Sequence, residues 1–211
     1  LLVRLNQAIK SVREAYDRYK FMEVYRTIFN FLTNYMSAFY LDFAKDIVYI
    51  ETANSTDRRR MQTVMYEILV KLTKLLVPIV PHTSEEIWTY LEQEEEAYAY
   101  LTEMPSADVI PDAAEILDFW SAFLEFRTGV HKALEMARDE KVIGKSLEAS
   151  VMVYPDEAVK VLLASVAETE DVATLLIVSE LIVSDQAAPE DAVKVGDPAI
   201  TVNHAVGGVC Q

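Results

Sequence analysis

Apolar residues recur every three or four positions along residues 61–88, with two prolines near the end of the run. This spacing places them on one face of a long helix, and so wide an apolar face requires other helices to cover it. Pro78 and Pro81 each remove a backbone donor, so the helix is expected to end or kink there. Thr83 and Glu86 have the spacing of a capping box and predict the start of a new helix. The apolar positions are Met61, Val64, Met65, Ile68, Leu69, Leu72, Leu75, Leu76 and Ile79.

Helical spacing continues on both sides of this run. Residues 1–20 are amphipathic and begin with no capping side chain, which suggests a chain cut from a longer protein. Residues 21–34 and 37–50 are helical in pattern, and residues 111–140 form another long helix. We therefore expect an antiparallel helical bundle with short connections. Its core is predicted to centre on aromatic residues, which each bury a large area. They are Phe29, Phe31, Tyr35, Phe39, Tyr40 and Phe43.

The composition changes after residue 141, where segments rich in β-branched residues begin. These segments are short enough to be strands. They lie at residues 149–154, 175–183, 193–195 and 200–203, with a helical pattern at residues 156–167. The predicted fold class is mainly α, with a helical bundle at residues 1–142 followed by a small α+β module at residues 143–211.

The overall composition is that of a folded protein without a membrane segment. Hydrophobic residues make up 52% of the 211 residues, which is ample for a packed core. No apolar run approaches the roughly 18 residues that cross a bilayer, and the chain does not start like a secretion signal. The single cysteine, Cys210, excludes an internal disulfide. We expect a monomeric, cytoplasmic protein.

The net charge of −15 argues at first against nucleic acid, because phosphate binding depends on Lys and Arg. The charge is unevenly distributed, however. Residues 1–80 hold 12 Lys and Arg against 8 Asp and Glu, whereas residues 81–211 hold 7 against 26. Any phosphate contact is therefore expected in the first part of the chain, with the acidic remainder facing solvent.

The sequence contains no recognisable catalytic set. His82, His131 and His204 stand far apart, and none belongs to a group of nucleophile, base and orienting residue. There is no glycine-rich phosphate loop and no metal-ligand cluster of the usual spacing. The chain is expected to catalyse no reaction by itself.

Three segments of the chain carry a family resemblance. They read SAFYLDFAKDIVYIE at residues 37–51, LLVPIVPHTSEEIW at residues 75–88 and ARDEKVIGKSLEASV at residues 137–151. In this order and spacing they resemble the anticodon-binding region of the class I aminoacyl-tRNA synthetases, and are most similar to the bacterial isoleucyl-tRNA synthetases. PHTSEEIW alone also fits the valine and leucine enzymes, whereas FYLDFAKD and IGKSLEA favour isoleucine.

The resemblance implies one part of a ligase that attaches isoleucine to its tRNA with ATP and magnesium. The catalytic and editing domains would lie outside this chain, in agreement with the missing catalytic groups. Bacterial members of the family close with a zinc-binding module, and residues 207–211 resemble the run up to its first cysteine. Cys210 would then be the first zinc ligand of the full-length protein. No metal is expected in this chain, because one cysteine cannot fill a tetrahedral zinc site.

The partner that the resemblance implies is a tRNA, held at its anticodon stem-loop. Three arginines at residues 58–60 stand in the first turn of a predicted helix, where positive charge opposes the helix dipole. A bound phosphate would explain them, and so would a solvated turn paired with Asp57. RNA recognition also uses bases stacked on aromatic side chains. The predicted RNA contacts are Arg58, Arg59 and Arg60, with Lys45 and Tyr40 as further candidates.

Other functions stay open at this point. The same region of a valyl-tRNA or another class I synthetase would share the proline-rich turn. An acidic helical scaffold that binds protein partners would fit the net charge of −15. An independent enzyme would need a pocket with converging polar groups, which the sequence does not indicate. The salt dependence of tRNA binding separates the RNA-binding function from the scaffold.

Overall fold

The computed structural model describes residues 1–91, 96–190, 192–194 and 198–206. The chain divides into two compact units, Leu1–Pro111 and Asp112–Gln211. The first unit is helical and the second combines helices with a sheet, so the predicted fold class is confirmed. The long helix after Pro111 belongs to the sheet-containing unit. The predicted domain boundary between residues 142 and 143 stays a prediction.

The first unit is built from the predicted helices. They are α1 (Leu2–Asp17), α2 (Phe21–Asn30), a π-helical segment (Phe31–Tyr40), α3 (Leu41–Ile50), α4 (Thr56–Leu76), α5 (Pro81–Trp88) and a 3-10 turn (Ala99–Leu101). Helix α1 packs on α2 and α4, while α4 also packs on α3 and α5. Residues 21–50, predicted as two stretches, form one continuous helical run through the π-helical segment. Helix α1 begins without a side-chain cap, as predicted.

The aromatic core of the first unit differs in part from the prediction. Phe31 and Phe43 are buried, but Phe29 is 55% exposed. The buried face of α2 passes through Val24 and Ile28. Because successive side chains on a helix point about 100° apart, the residue after Ile28 faces away from that core. Aromatic residue type alone therefore did not indicate burial.

The proline break between α4 and α5 is confirmed, but the predicted capping box is wrong. Val80 is the residue before α5, and Pro81 is its first helical residue. Proline suits that position because the N–H it lacks would have no partner inside the helix. Thr83 and Glu86 consequently lie within α5, and no side chain caps its start.

Residues 103–110 form an irregular strap that is tied to α1 and α4. Asn6 Nδ2 donates to the Asp108 carbonyl at 3.1 Å, and the Asp108 N–H donates to Asn6 Oδ1 at 3.2 Å. The Asp108 carboxylate also binds Lys71 of α4. Arg13 Nη1 donates to two strap carbonyls at 3.0 Å. These side-chain contacts hold in place a segment that belongs to no helix or strand.

The second unit combines helices with a small mixed sheet. Its elements are α6 (Ala113–Asp139), a 3-10 turn (Ser146–Glu148), β1 (Ala149–Tyr154), α7 (Glu157–Ala167), α8 (Val172–Leu176), β2 (Glu180–Val183), β3 (Val193–Lys194) and β4 (Ala199–His204). The strand order is β2-β1-β4-β3, with β1 parallel to β2 and antiparallel to β4. Buried positions alternate along β1, as expected for a strand with one covered face. Helix α6 packs against α7, α8 and β4.

The strand predicted at residues 175–183 is partly wrong. Its first two residues, Leu175 and Leu176, belong to α8, residues 177–179 form a turn, and only Glu180–Val183 is a strand. The Asp171 carboxylate accepts the N–H groups of Ala173 and Thr174 and so starts the short helix. Ile177 ends it with a left-handed φ of 59°. A strong N-terminal cap thus overrode the β-branched composition of this segment.

Candidate nucleic-acid interface

The candidate interface lies in the first unit, where α3 ends and α4 begins. A tight turn joins the two helices, with the Ser55 N–H bonded to the Thr52 carbonyl at 3.0 Å. The Ser55 side chain caps α4 by accepting the Arg58 N–H at 3.5 Å. This cap makes the three arginines the third to fifth residues of α4, so Arg58 and Arg59 lie in its first turn as predicted and Arg60 follows directly after it. The N-terminal end of a helix carries partial positive charge, so arginines here add to an existing anion-attracting field.

Arg58 connects the two helices. Its Nη1 donates to the Glu51 carbonyl at 3.2 Å, directly after the end of α3. The side chain is half-buried, and among the described residues its Nε has no hydrogen-bond partner. A buried donor without a partner costs about 1–3 kcal/mol. Part of the Arg58 guanidinium therefore binds the backbone of the turn and is not available to solvent.

Arg59 and Arg60 are both exposed, but they differ in their surroundings. Arg60 lies 3.6 Å from the Asp57 carboxylate, an exposed pair on the same helical turn. Such pairs contribute about 0–1 kcal/mol and exchange readily for another anion. The paired, solvated turn considered for this segment thus applies to Arg60. Arg59 is exposed as well, and so accessible to a phosphate.

The two remaining predicted residues differ in exposure, since Tyr40 is buried and Lys45 is exposed. Tyr40 is only 7% exposed, and its hydroxyl donates to the Met61 carbonyl at 3.2 Å. Its ring packs in the core and offers a base little accessible surface. Lys45 is exposed on α3, with Nζ 3.0 Å from the Asp42 carboxylate.

Tyr49 is the residue of this region that sequence reasoning missed. Its side chain is 87% exposed on the last turn of α3. Tyr49 and Lys45 stand four residues apart, so they are neighbours on the helix surface. The buried face of α3 passes through Phe43 and Ala44. Tyr49 does not fall on the helical repeat of that buried face. Its position in the sequence could therefore have indicated that its side chain is exposed.

The described residues contain neither a candidate metal cluster nor a membrane-spanning helix. Among them, no three His, Cys, Asp or Glu side chains are placed to hold a metal ion. Cys210, the suggested zinc ligand, lies outside the described residues. No described helix has both the length and the apolar character that crossing a membrane requires.

Comparison with known proteins agrees with an RNA-binding surface on a helical bundle. Residues 1–153 match the family described as "Anticodon-binding domain of tRNA ligase". The chain belongs to this family.

Relatives with matches along the whole chain identify the branch of the family. The chain is 56% identical over 211 residues to the isoleucine–tRNA ligase of Streptococcus sanguinis (strain SK36) and 57% identical over 214 residues to that of Lactococcus lactis subsp. lactis (strain IL1403). The ligase of Streptococcus pyogenes serotype M1 is 54% identical over 212 residues. Each match covers 100% of this chain but only 22–23% of the relative. The resemblance to isoleucyl-tRNA synthetases is therefore confirmed across the whole chain.

Proposed function

We propose that this chain binds the anticodon stem-loop of a tRNA at the junction of α3 and α4. The observation that carries the proposal is the cluster of Arg58, Arg59 and Arg60 in one helical turn, joined through Arg58 to the Glu51 carbonyl, two residues after the exposed Tyr49. Cations and an exposed aromatic ring together suit single-stranded RNA, whose phosphates are charged and whose unpaired bases stack. Membership of the anticodon-binding family supports the same partner.

The residues at this junction have different roles in the proposal. Arg59 and Arg60 bind phosphates, with Arg60 exchanging its exposed partner Asp57 for the RNA. Tyr49 stacks on an unpaired base, and Lys45 neutralises a phosphate next to it. Arg58 holds the end of α3 against the start of α4 and so keeps the other groups in position.

The relatives support a wider proposal. We propose that the chain acts as part of an isoleucine–tRNA ligase, in which other domains attach isoleucine to the tRNA with ATP and magnesium. The bundle would hold the anticodon arm while the acceptor end reaches those domains. In the full-length protein Cys210 would be a zinc ligand. The ligase would work as a monomer in the cytoplasm. Within this chain, the boundary between the helical bundle and the α+β module would lie near residue 142.

Titration with isoleucine tRNA at several salt concentrations tests the proposal. We expect Arg59→Ala to weaken binding and to reduce the slope of log K against log salt by about 1, because one phosphate contact is lost. We expect Tyr49→Ala to weaken binding roughly tenfold with little change in that slope. Lys132→Ala is the matched control, since it removes an exposed cation from α6 of the second unit.

Two results would contradict the proposal. Absence of tRNA binding by the unaltered chain at low salt would favour the acidic scaffold instead. Equal losses for Arg59→Ala and Lys132→Ala would mean that charge in general, and not this junction, attracts the RNA.

A further inference from the structure

The corner between α1 and α2 has an unusual residue at its turning point. Helix α1 ends with the Lys20 N–H bonded to the Ala15 carbonyl at 2.8 Å and the Tyr19 N–H bonded to the Tyr16 carbonyl at 2.9 Å. Tyr19 itself has a left-handed φ of 57°. Glycine is the usual residue at this position of a helix end, because any Cβ is crowded there. A tyrosine at this position destabilises the turn.

The tyrosine ring regains little of that stability by burial. Tyr19 is 81% exposed. Its aromatic neighbour is Phe21, at a centroid distance of 6.5 Å and an interplanar angle of 71°, and Phe21 is itself 52% exposed. An unfavourable backbone conformation that supports an exposed ring points to a functional role for the ring.

The surroundings of Tyr19 favour an anionic partner. Residues 10–26 hold five Lys and Arg against three Asp and Glu, in a chain with a net charge of −15. Arg18 and Lys20 flank the tyrosine in sequence. Arg18 pairs with Glu14 at 3.8 Å and with Glu23 at 3.9 Å, and Lys20 pairs with Glu23 at 2.9 Å, all with side chains about half or more exposed. Exposed pairs of this kind are weak and can exchange for phosphate.

The corner is distant from the junction of α3 and α4. The continuous helical run of residues 21–50 begins at the corner and ends beside Tyr49. At a rise of about 1.5 Å per residue, this run is roughly 40 Å long. A stem of about five base pairs rises only roughly 17 Å at the spacing of a double helix, without counting its loop. With the anticodon loop at the junction, such a stem reaches less than halfway along this run, so the corner would meet tRNA beyond the stem-loop.

We propose that Tyr19, supported by Phe21, stacks on an unpaired base of the tRNA outside the anticodon stem-loop. Arg18 and Lys20 contact the phosphates on either side of that base. This inference rests on the proposed tRNA-binding function and adds a second contact to it. Base stacking tolerates any base, so the contact strengthens binding without reading the anticodon.

The test uses Tyr19→Gly, because glycine suits the left-handed turn while removing the ring. The full tRNA and an isolated anticodon hairpin are titrated with the unaltered chain and with the variant. We expect Tyr19→Gly to weaken binding of the full tRNA roughly tenfold and to leave hairpin binding unchanged. The melting temperature should stay the same or rise, which excludes unfolding as the cause. Tyr19→Phe should bind the tRNA like the unaltered chain.

Tyr90→Ala is the matched control, since Tyr90 is 79% exposed in the same unit. It should change neither affinity nor melting temperature. Unchanged tRNA affinity in Tyr19→Gly would overturn the inference while leaving the proposed function intact. Loss of self-association in that variant, with unchanged tRNA binding, would also overturn it, because the corner would then contact protein. Failure of the unaltered chain to bind tRNA would overturn both proposals.

Discussion

Replacing Asn6 with alanine tests whether the strap of residues 103–110 depends on one buried side chain. Asn6 is 7% exposed, and its amide exchanges two hydrogen bonds with the backbone of Asp108 at 3.1 and 3.2 Å. Alanine removes both partners at once. The Asp108 N–H and carbonyl then lose their protein partners in a part-buried place, where water replaces them incompletely.

The expected loss follows from these two bonds. A hydrogen bond of this kind contributes about 0.5–1.5 kcal/mol, so Asn6→Ala should lower the free energy of unfolding by about 1–3 kcal/mol. For a chain of this size, 2 kcal/mol corresponds to a fall in melting temperature of about 4–8 °C. The Lys71 and Arg13 contacts remain, so the strap should loosen without leaving the bundle.

Urea unfolding followed by circular dichroism measures the effect. Asn34→Ala is the control, because Asn34 is exposed and its Nδ2 donates only to the Asn30 side chain among the described residues, at 2.6 Å. That variant should stay within about 0.5 kcal/mol of the unaltered chain. If Asn6→Ala loses no more than Asn34→Ala, the two bonds to Asp108 do not stabilise the strap and the reasoning fails.

Two further predictions concern the stability of each unit. Burial raises the pKa of Tyr16 to about 12, and its hydroxyl donates to the Leu75 carbonyl at 2.8 Å. Between about pH 10 and about pH 12 the folded chain keeps this proton and the unfolded chain releases it, so the free energy of unfolding should fall as the pH rises. The fall should be less steep in Tyr16→Phe. If urea unfolding gives both chains the same dependence of that free energy on pH, the prediction is wrong. In the second unit, the buried Arg127 Nε donates to the Leu175 carbonyl at 3.0 Å. Arg127→Met should lower the free energy of unfolding by about 1–3 kcal/mol or more, measured by thermal unfolding. An unchanged melting temperature would exclude a structural role for this hydrogen bond.

Periodicity predicted the long helices because it reports which face each residue buries. The stripe of α4 and the alternation along β1 are both visible in the sequence. Capping was predicted less well, since several side chains compete for each helix start. Thr83 had the right spacing, but the preceding Pro81 had already begun α5. At residues 171–176, Asp171 started a helix inside a segment whose composition favours a strand.

The candidate interface was predicted only in part. The arginines at residues 58–60 were visible because three adjacent charges in a helix start are rare. Tyr40 and Tyr49 were not separable by residue type, and only their position on the helix decides that one is buried and the other exposed. Tyr19 could not be found from sequence, because a left-handed φ at a non-glycine residue depends on the turn that encloses it.

The π-helical segment explains why the pattern across residues 21–50 looked like two separate helices. An uninterrupted α-helix turns about 100° per residue, which would place Val24 and Ala44 roughly half a turn apart. Both are fully buried. Within the π-helical segment the buried residues are Phe31, Met36 and Tyr40, spaced by five and four positions. This underwinding removes about half a turn over ten residues, so one continuous helical run keeps a single side inward from Val24 to Ala44.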